Sequence, residues 1–215
     1  MYDIIVLGAT FAAAGIAERY KEKCLVIDRR AQAGSEFFGA LDFTVEETEI
    51  YSHFKKCRIL FCTEIVSVKR TDDGFACVAH NAQGFCTYYA KKVIDTRCNA
   101  EMSLSKTYNL LINSKEEPDF SNVHCKKARG ENRYILYCPI PLSYGYTQAR
   151  AAAQDIILQF SETQRLILSA NEFDYHIKED YPKTQDGILY MPSKAYENPM
   201  LAFEAGMKIG EEADK

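Results

Sequence analysis

The chain opens with a short apolar run followed by a turn of small residues. Residues 4–7 are apolar and mostly β-branched, which predicts a parallel strand buried on both faces. A predicted helix begins in the small residues after Gly8, and a second apolar run, residues 24–27, ends in Asp28, twenty residues after Gly8. Such a helix presents unpaired N–H groups and its positive dipole end to a pyrophosphate, and an acid at the tip of the second strand accepts hydrogen bonds from a ribose. This is the layout of a dinucleotide-binding β-α-β unit.

The glycine fingerprint of such a unit is imperfect here. Its three glycine positions are taken by Gly8, Thr10 and Ala13. Alanine still lets the helix and the strand pack closely, whereas the Cβ of Thr10 keeps a phosphate further from the backbone and its hydroxyl offers a hydrogen bond in return. A small-residue turn of any buried α/β protein stays open as an alternative, and Asp28 in register favours the dinucleotide site.

Length and charge limit the classes of protein to which the chain can belong. Its 215 residues suffice for one domain, or for one domain with an inserted lobe. No stretch approaches the roughly 20 apolar residues of a membrane span, and the first residues lack the pattern of a signal peptide. The net charge of −4 comes from 26 basic and 30 acidic residues spread along the chain. We therefore expect a cytoplasmic protein with neither a membrane nor a nucleic acid as partner.

The cysteine and histidine residues show no metal-binding pattern. The eight cysteines contain no C-x-x-C, and the single C-x4-C, Cys57 to Cys62, has no third member nearby. The four histidines are scattered without metal-ligand spacing. We expect reduced, mostly buried cysteines and no metal site, and a dithiol-exchange enzyme is disfavoured.

After residue 57 the pattern changes to strands joined by tight turns. Predicted strands over residues 59–70, 74–80 and 84–90 are separated by two hairpin signals, Asp72-Asp73-Gly74 and Asn81-Ala82-Gln83-Gly84, and an apolar strand follows at 92–95. A nicotinamide-dependent dehydrogenase would continue with a crossover helix and a parallel strand, because a tight turn cannot join parallel neighbours. The inserted antiparallel meander disfavours that class, which stays open as an alternative.

With this meander the chain resembles the two-dinucleotide-binding-domain, glutathione-reductase-like class of FAD-dependent oxidoreductases. It is most similar to the subgroup with a Gly-x-Thr first turn, here Gly8-Ala9-Thr10-Phe11-Ala12-Ala13. That subgroup also has an acid, a basic residue and a Gly-containing loop after the second strand, here Asp28-Arg29-Arg30 through Gly34-Ser35-Glu36. The resemblance covers residues 1–98 and about the last 25 residues, and it describes a small, partly degenerate member.

The resemblance implies FAD as the cofactor. The residues it assigns to FAD in the first half of the chain are Gly8, Thr10, Phe11, Ala12, Ala13, Asp28, Arg29, Arg30, Gly34, Ser35 and Glu36, with Ile65 beside the adenine through its backbone and with Thr96 and Arg97 where the strand ending at Asp95 returns to the phosphates. The class usually has Asp-Ala-Thr-Gly at that return, whereas this chain has Asp95-Thr96-Arg97-Cys98 and lacks the glycine. Arg97 either answers the pyrophosphate charge or is merely exposed.

The end of the chain predicts a helix packed closely against a neighbour. Asn198 can cap a helix that begins at Pro199, and Ala202, Gly206 and Gly210 lie four apart along it. In the resembled class the last helix aims its N-terminus at the flavin, which adds Asn198, Pro199 and Met200 to the cofactor site. The Gly-Asp that usually precedes this helix is absent.

These patterns together predict an α/β fold. It consists of a Rossmann-like FAD-binding domain, with a parallel sheet and an inserted antiparallel β-meander, and a small α+β substrate lobe. The FAD/NAD(P)-binding domain is predicted over residues 1–99 and 186–215, and the lobe over residues 100–185.

The resemblance also implies the activity. We expect a FAD-dependent oxidoreductase that acts on an unidentified small-molecule substrate through a flavin bound between the Rossmann-like core and the small lobe. A degenerate, non-catalytic nucleotide-binding relative that acts through a partner subunit stays open, as does a homo-oligomer. Tyr144, Tyr146, His124 and Tyr196 are proton-donor candidates by chemistry alone, and the catalytic residues stay unassigned.

Overall fold

A computed structural model describes residues 1–42, 47–177 and 181–212, leaving aside the side chains of residues 47–48 and 210–212. The described chain divides into two compact units. The first unit contains residues 1–35, 47–98 and 181–212, and the second contains residues 36–42 and 99–177.

The described residues form strands and helices in both units. The strands are β1 (Tyr2–Leu7), β2 (Cys24–Ile27), β3 (Arg58–Leu60), β4 (Glu64–Thr71), β5 (Gly74–Asn81), β6 (Gly84–Asp95), β7 (Ser103–Ser114), β8 (His124–Lys127), β9 (Arg133–Ile140), β10 (Gln164–Ser169), β11 (Asp174–Ile177), β12 (Lys183–Gln185) and β13 (Ile188–Tyr190). The helices are α1 (Phe11–Tyr20), α2 (Ser35–Phe38), α3 (Glu47–His53), α4 (Tyr146–Ile157) and α5 (Pro199–Glu212), with 3-10 turns at Lys21–Lys23 and Ser193–Ala195. Among the described residues, no helix combines the length and the apolar character that crossing a membrane requires.

The first unit is built on a sheet whose central strands are parallel. The strand order is β12-β13-β6-β1-β2-β3, and β1 runs parallel to both of its neighbours. Ile4, Ile5 and Val6 are fully buried, as expected for an apolar strand covered on both faces. The β-α-β unit predicted from the first residues is therefore present, and α1 begins at the carboxyl end of β1.

The antiparallel meander predicted from the turn signals is also present. β4 pairs with β5 and β5 pairs with β6, and Gly74 and Gly84 take φ angles of +139° and +101° at the two turns. Both values lie where glycine has no steric penalty. β6 is 12 residues long, so that it leaves the meander and continues as the parallel neighbour of β1.

The second unit is an antiparallel sheet covered by one helix. Its strand order is β10-β7-β9-β8, and β11 also pairs with β7. Ala149 and Ala153 of α4 are buried in the same apolar core as Tyr108, Leu110 and Ile112 of β7. Small side chains on the buried face of α4 let the helix approach the sheet closely. The predicted α/β fold, with its smaller α+β lobe, is confirmed.

The structural division differs from the sequence-based boundaries at two places. Residues 36–42 belong to the second unit, because Ala40 O accepts a hydrogen bond from Asn109 Nδ2 at 2.7 Å and Gly39 O accepts one from Asn171 N at 3.0 Å. Residues 181–185 belong to the first unit, because β12 pairs with β13, which extends the parallel sheet. Local patterns do not specify the contacts of residues 39 and 40, because their partners are distant in sequence. The β12–β13 hairpin, in contrast, turns at Asp186-Gly187, a local hairpin signal that the predicted boundary at residue 186 divided.

Candidate functional site

The first turn is a tight loop that joins β1 to α1. Gly8 has a φ of +94°, and its N–H donates to Ile27 O at 2.8 Å, which ties the turn to the end of β2. Thr10 is extended and caps α1: its Oγ1 accepts from Ala13 N at 3.1 Å. Threonine at this position therefore begins the helix, a role that its place in the glycine fingerprint did not indicate.

Asp28 joins the first turn to the loop that follows β2. Its carboxylate accepts hydrogen bonds from Ala9 N at 2.6 Å and from Arg30 N at 2.8 Å, and it is only 3% exposed. Arg30 Nη1 lies 3.9 Å from the same carboxylate. Asp28 is thus held at the tip of β2, as predicted, by donors of the protein itself. The ribose contact expected of Asp28 stays a prediction.

The rest of the loop after β2 folds back on the first turn. Gly34 has a φ of +71°, and its N–H donates to Ala9 O at 2.8 Å. Ser35 Oγ donates to Gln32 O at 2.9 Å, and Glu36 is buried at the start of the segment assigned to the second unit. Arg29, in contrast, is exposed. Gly34 is therefore tied to the first turn, and the cofactor contacts expected of Arg29, Gly34, Ser35 and Glu36 stay predictions.

The loop after β6 closes over the first turn. Thr96 is fully buried: its Oγ1 accepts from Thr10 Oγ1 at 2.8 Å and donates to Leu7 O at 2.9 Å. Arg97 forms a two-pronged ion pair with Asp95, with Nη2 to Oδ2 at 2.6 Å and Nε to Oδ1 at 2.9 Å. A Cβ built on Gly8 would lie 2.8 Å from Arg97 Cγ, so glycine here makes room for Arg97.

Arg97 keeps its positive charge because it is paired with Asp95. Burial opposes the positive charge of Arg97, but the hydrogen bond and the negative charge of Asp95 outweigh it, so the pKa of Arg97 is raised. The guanidinium therefore stays charged beside Gly8. The sequence left two roles open for Arg97, a contact to the pyrophosphate or plain exposure to solvent. The structure shows its side chain half-buried and paired with Asp95, and the pyrophosphate contact stays a prediction.

Ser193 is the residue of this region that sequence reasoning missed. It is fully buried, its N–H donates to Thr96 O at 3.0 Å, and its Oγ accepts from Ala12 N at 3.4 Å. The available signal was a Pro-Ser pair after the apolar run of residues 188–191, just beyond the carboxyl end of the strand that neighbours β6. Ser193 places a hydroxyl at the N-terminus of α1.

α5 begins as predicted and packs unusually close to α1. Asn198 Oδ1 accepts from Leu201 N at 3.0 Å, which confirms the cap. A Cβ on Gly206 would collide with Ala12 O, and one on Gly15 would collide with Phe203 O. Gly15 is therefore the counterpart of Gly206 across the helix pair.

The structure gives the positions of the remaining predicted residues, and their contacts to the cofactor stay predictions. Ala202 of the predicted stripe is fully buried, and the surroundings of Gly210 lie outside the described residues. Pro199 is buried and Met200 is exposed at the start of α5. Ile65 is half-buried beside an irregularity in the β4–β5 pairing and packs against the core of the first unit.

The proton-donor candidates lie in different surroundings. In the second unit, Tyr146 donates to Glu172 Oε2 at 3.0 Å, and its ring stacks on Phe173 with centroids 4.4 Å apart. Tyr144 O accepts from Lys106 Nζ, and His124 lies with its ring 5.6 Å from that of Tyr137. Burial lowers the pKa of Lys106, and in the first unit burial raises the pKa of Tyr196. The catalytic role of each candidate stays a prediction.

The donors at the start of α1 differ in how firmly the protein holds them. The bond from Ala9 N to the Asp28 carboxylate is short and charge-assisted, whereas Ala12 N reaches Ser193 Oγ only at 3.4 Å. A neutral hydrogen bond contributes about 0.5–1.5 kcal/mol net, and a long one contributes less. The first turn fits a dinucleotide if a charged phosphate oxygen replaces Ser193 Oγ as the acceptor of the Ala12 N–H.

Comparison with known proteins finds its matches among solved structures. No protein-family model and no curated protein matches the sequence. The chain is similar to BexE, studied for oxidation in BE-7585A biosynthesis (TM-score 0.63, 10% identity, 97% of this chain and 60% of that one). It is also similar to aklavinone-11 hydroxylase in a ternary complex with FAD and aklavinone (TM-score 0.61, 10% identity, 99% and 62%).

A third similar structure is that of a reductase-like protein. It is a geranylgeranyl bacteriochlorophyll reductase-like protein from Thermoplasma acidophilum (TM-score 0.65, 11% identity, 98% of this chain and 77% of that one). The chain spans about three fifths of the length of the first structures it matches, with 60% and 61% covered. At these identities the likeness shows the fold alone, a Rossmann-like α/β fold that the chain shares with the hydroxylase crystallised with FAD.

Proposed function

We propose that the protein binds FAD and is a FAD-dependent oxidoreductase acting on a small molecule. The observation that carries this proposal is the first turn, where Gly8 with positive φ, the start of α1 and Asp28 converge at the carboxyl ends of β1 and β2. The support from the fold is its similarity to flavoprotein enzymes over almost the whole chain.

The first turn and α1 would hold the pyrophosphate. Ala12 N would exchange Ser193 Oγ for a phosphate oxygen, and Arg97, charged and beside Gly8, would add a positive charge nearby. Asp28 would remain on Ala9 N and Arg30 N and would offer its remaining lone pairs to the adenosine ribose. The carboxylate would thereby hold the turn in shape as well as contact the ligand.

α5 would contribute its first turn to the flavin half of the cofactor. Its N-terminus is fixed by the Asn198 cap and by close packing on α1 through Gly15 and Gly206. Unpaired N–H groups at a helix start favour a negatively charged group. When bound, FAD supplies the electron transfer itself, and the chain's own residues bind it, orient it and limit water around it.

A second candidate function is a relative that binds no FAD and acts through a partner subunit. The observation that favours it is the closure of the first turn by the protein's own groups. Thr10 and Phe11 are buried, and Arg97 pairs with Asp95 beside Gly8. Ser193 Oγ accepts the hydrogen bond of Ala12 N. The same hydrogen bonds that FAD would displace then serve as permanent structure.

Ligand titration separates the two candidates. We expect calorimetry of the full chain to show FAD binding at least about tenfold tighter than FMN, which corresponds to about 1.4 kcal/mol from the adenosine half. ADP should compete with FAD, because it carries both the pyrophosphate and the adenosine. Equal affinity for FMN and FAD would contradict the adenosine site. No binding of FAD, FMN or ADP by the folded chain would favour the partner-dependent relative.

A further inference from the structure

The β2–β3 pair places two cysteines side by side. Leu25 and Arg58 are partners across these parallel strands, and Cys24 and Cys57 each stand one residue earlier. Neighbouring strands lie about 4.8 Å apart, inside the roughly 4.4–6.8 Å that Cα atoms of a disulfide span. The spacing of Cys57 from Cys62 in the sequence gave no hint of this partner.

The two thiols differ in access and in acidity. Cys24 is fully buried, whereas Cys57 is half-buried and precedes β3, the terminal strand of the sheet. Cys57 Sγ donates to Arg58 O at 3.6 Å. Interaction with the Cys57 thiol, and then burial, raises the pKa of Cys24, while interaction with Cys24 lowers the pKa of Cys57 against the opposing effect of burial. Cys57 is thus the reachable nucleophile, with a second thiol directly behind it.

Other cysteines lack this combination. Burial raises the pKa of Cys77 to about 11 and that of Cys138 to about 12, so both are poor nucleophiles at neutral pH. Cys62 is exposed, five residues after Cys57 at the far end of β3. It serves as a matched cysteine that has access to solvent.

We propose that Cys24 and Cys57 form an oxidisable dithiol that closes to a disulfide when a peroxide reacts with Cys57. The Cys57 thiolate attacks one peroxide oxygen, the O–O bond breaks, and hydroxide leaves, giving a sulfenic acid. The Cys24 thiol then attacks that sulfur, an S–S bond forms, and water leaves. The two thiols lose two electrons in total, and hydrogen peroxide is reduced to two molecules of water.

The site is suited to a reversible reaction. β3 has three residues and ends the sheet, so its start can move toward Cys24 at little cost. A thiol reductant returns the disulfide to two thiols by exchange. This chemistry does not depend on the proposed cofactor, since both cysteines lie at the amino ends of their strands, opposite the first turn.

Peptide mapping after oxidation tests the dithiol. The folded full chain is treated with hydrogen peroxide, its free thiols are blocked with N-ethylmaleimide, and the digest is analysed by mass spectrometry. We expect a peptide pair linked through Cys24 and Cys57 that disappears on reduction, is lost in Cys57→Ser and persists in Cys62→Ser. In Cys24→Ala, Cys57 should instead accumulate as sulfenic and sulfinic acid, since no thiol stands behind it.

Each opposing result has a distinct meaning. If wild-type Cys57 is oxidised to sulfinic acid while Cys24 stays free, the two thiols do not pair and the proposal is wrong. Oxidation confined to Cys62, or a Cys24 disulfide that survives in Cys57→Ser, overturns it as well. Circular dichroism of each variant before oxidation establishes that the comparison is made on folded chains, and Cys57→Ser, at the half-buried position, is the variant best placed to stay folded.

Discussion

Asp28 shows how a predicted binding residue also has a structural task. Its buried carboxylate accepts from Ala9 N and Arg30 N, so Asp28→Ala leaves two donors without their acceptor. We expect the free energy of unfolding to fall by about 1–3 kcal/mol and FAD affinity to fall with it. Urea denaturation of wild type and variant measures the first effect. Asp28→Asn, which keeps one acceptor oxygen, should lie between them, and an unchanged unfolding midpoint in Asp28→Ala would show that the two bonds are unimportant.

Ser193 Oγ occupies the Ala12 N–H that a phosphate of FAD would need. The bond from Ala12 N to Ser193 Oγ is long, and Ser193→Ala removes it without adding bulk. We expect FAD to bind Ser193→Ala up to about fivefold tighter, since a competing bond of at most about 1 kcal/mol is gone. Ser193→Asp, which puts a negative charge near the phosphates, should bind FAD more weakly. If Ser193→Ala instead loses FAD, the hydroxyl is a ligand contact and not a competitor.

At the scale of elements, the α1–α5 pair is the contact most sensitive to volume. Gly206→Ala should raise helix propensity by about 1 kcal/mol, but its Cβ would collide with Ala12 O. Backbone cannot move aside as a flexible side chain does, so we expect a net loss of about 1–3 kcal/mol and a melting temperature several degrees lower. Gly145→Ala is the control, because its Cβ would meet nothing closer than 3.5 Å. Equal melting temperatures for both variants would contradict the close packing.

Elements defined by local pattern were the ones the sequence could predict. The β-α-β start, the meander turns and the α5 cap each depend on residues within a few positions of one another, and all three are confirmed. Gly15 as the partner of Gly206, Ser193 at the start of α1 and Cys57 beside Cys24 depend on pairings between distant segments. The sequence carries no local signal for those pairings, and the hydrogen bonds of residues 39 and 40 to Asn171 and Asn109 are of the same long-range kind.

For the whole molecule, the fold alone does not establish FAD binding, which depends on the first turn. The chain shares its fold with FAD-dependent enzymes that are longer than itself, and it lacks two glycine-containing motifs of the class it resembles. Groups of the protein itself close the first turn: the buried Thr96 and the half-buried Arg97 after β6, and the buried Ser193 after β13. We propose that the first turn accepts FAD although groups of the protein itself close it.

The absorption spectrum of the desalted protein shows whether the folded chain retains bound FAD. The full chain is incubated with excess FAD, passed through a desalting column and measured in the visible range, with circular dichroism recorded on the same sample to establish that it is folded. We expect flavin bands to leave the column with the protein, at one FAD per chain. A folded protein that emerges colourless after this treatment would contradict the claim.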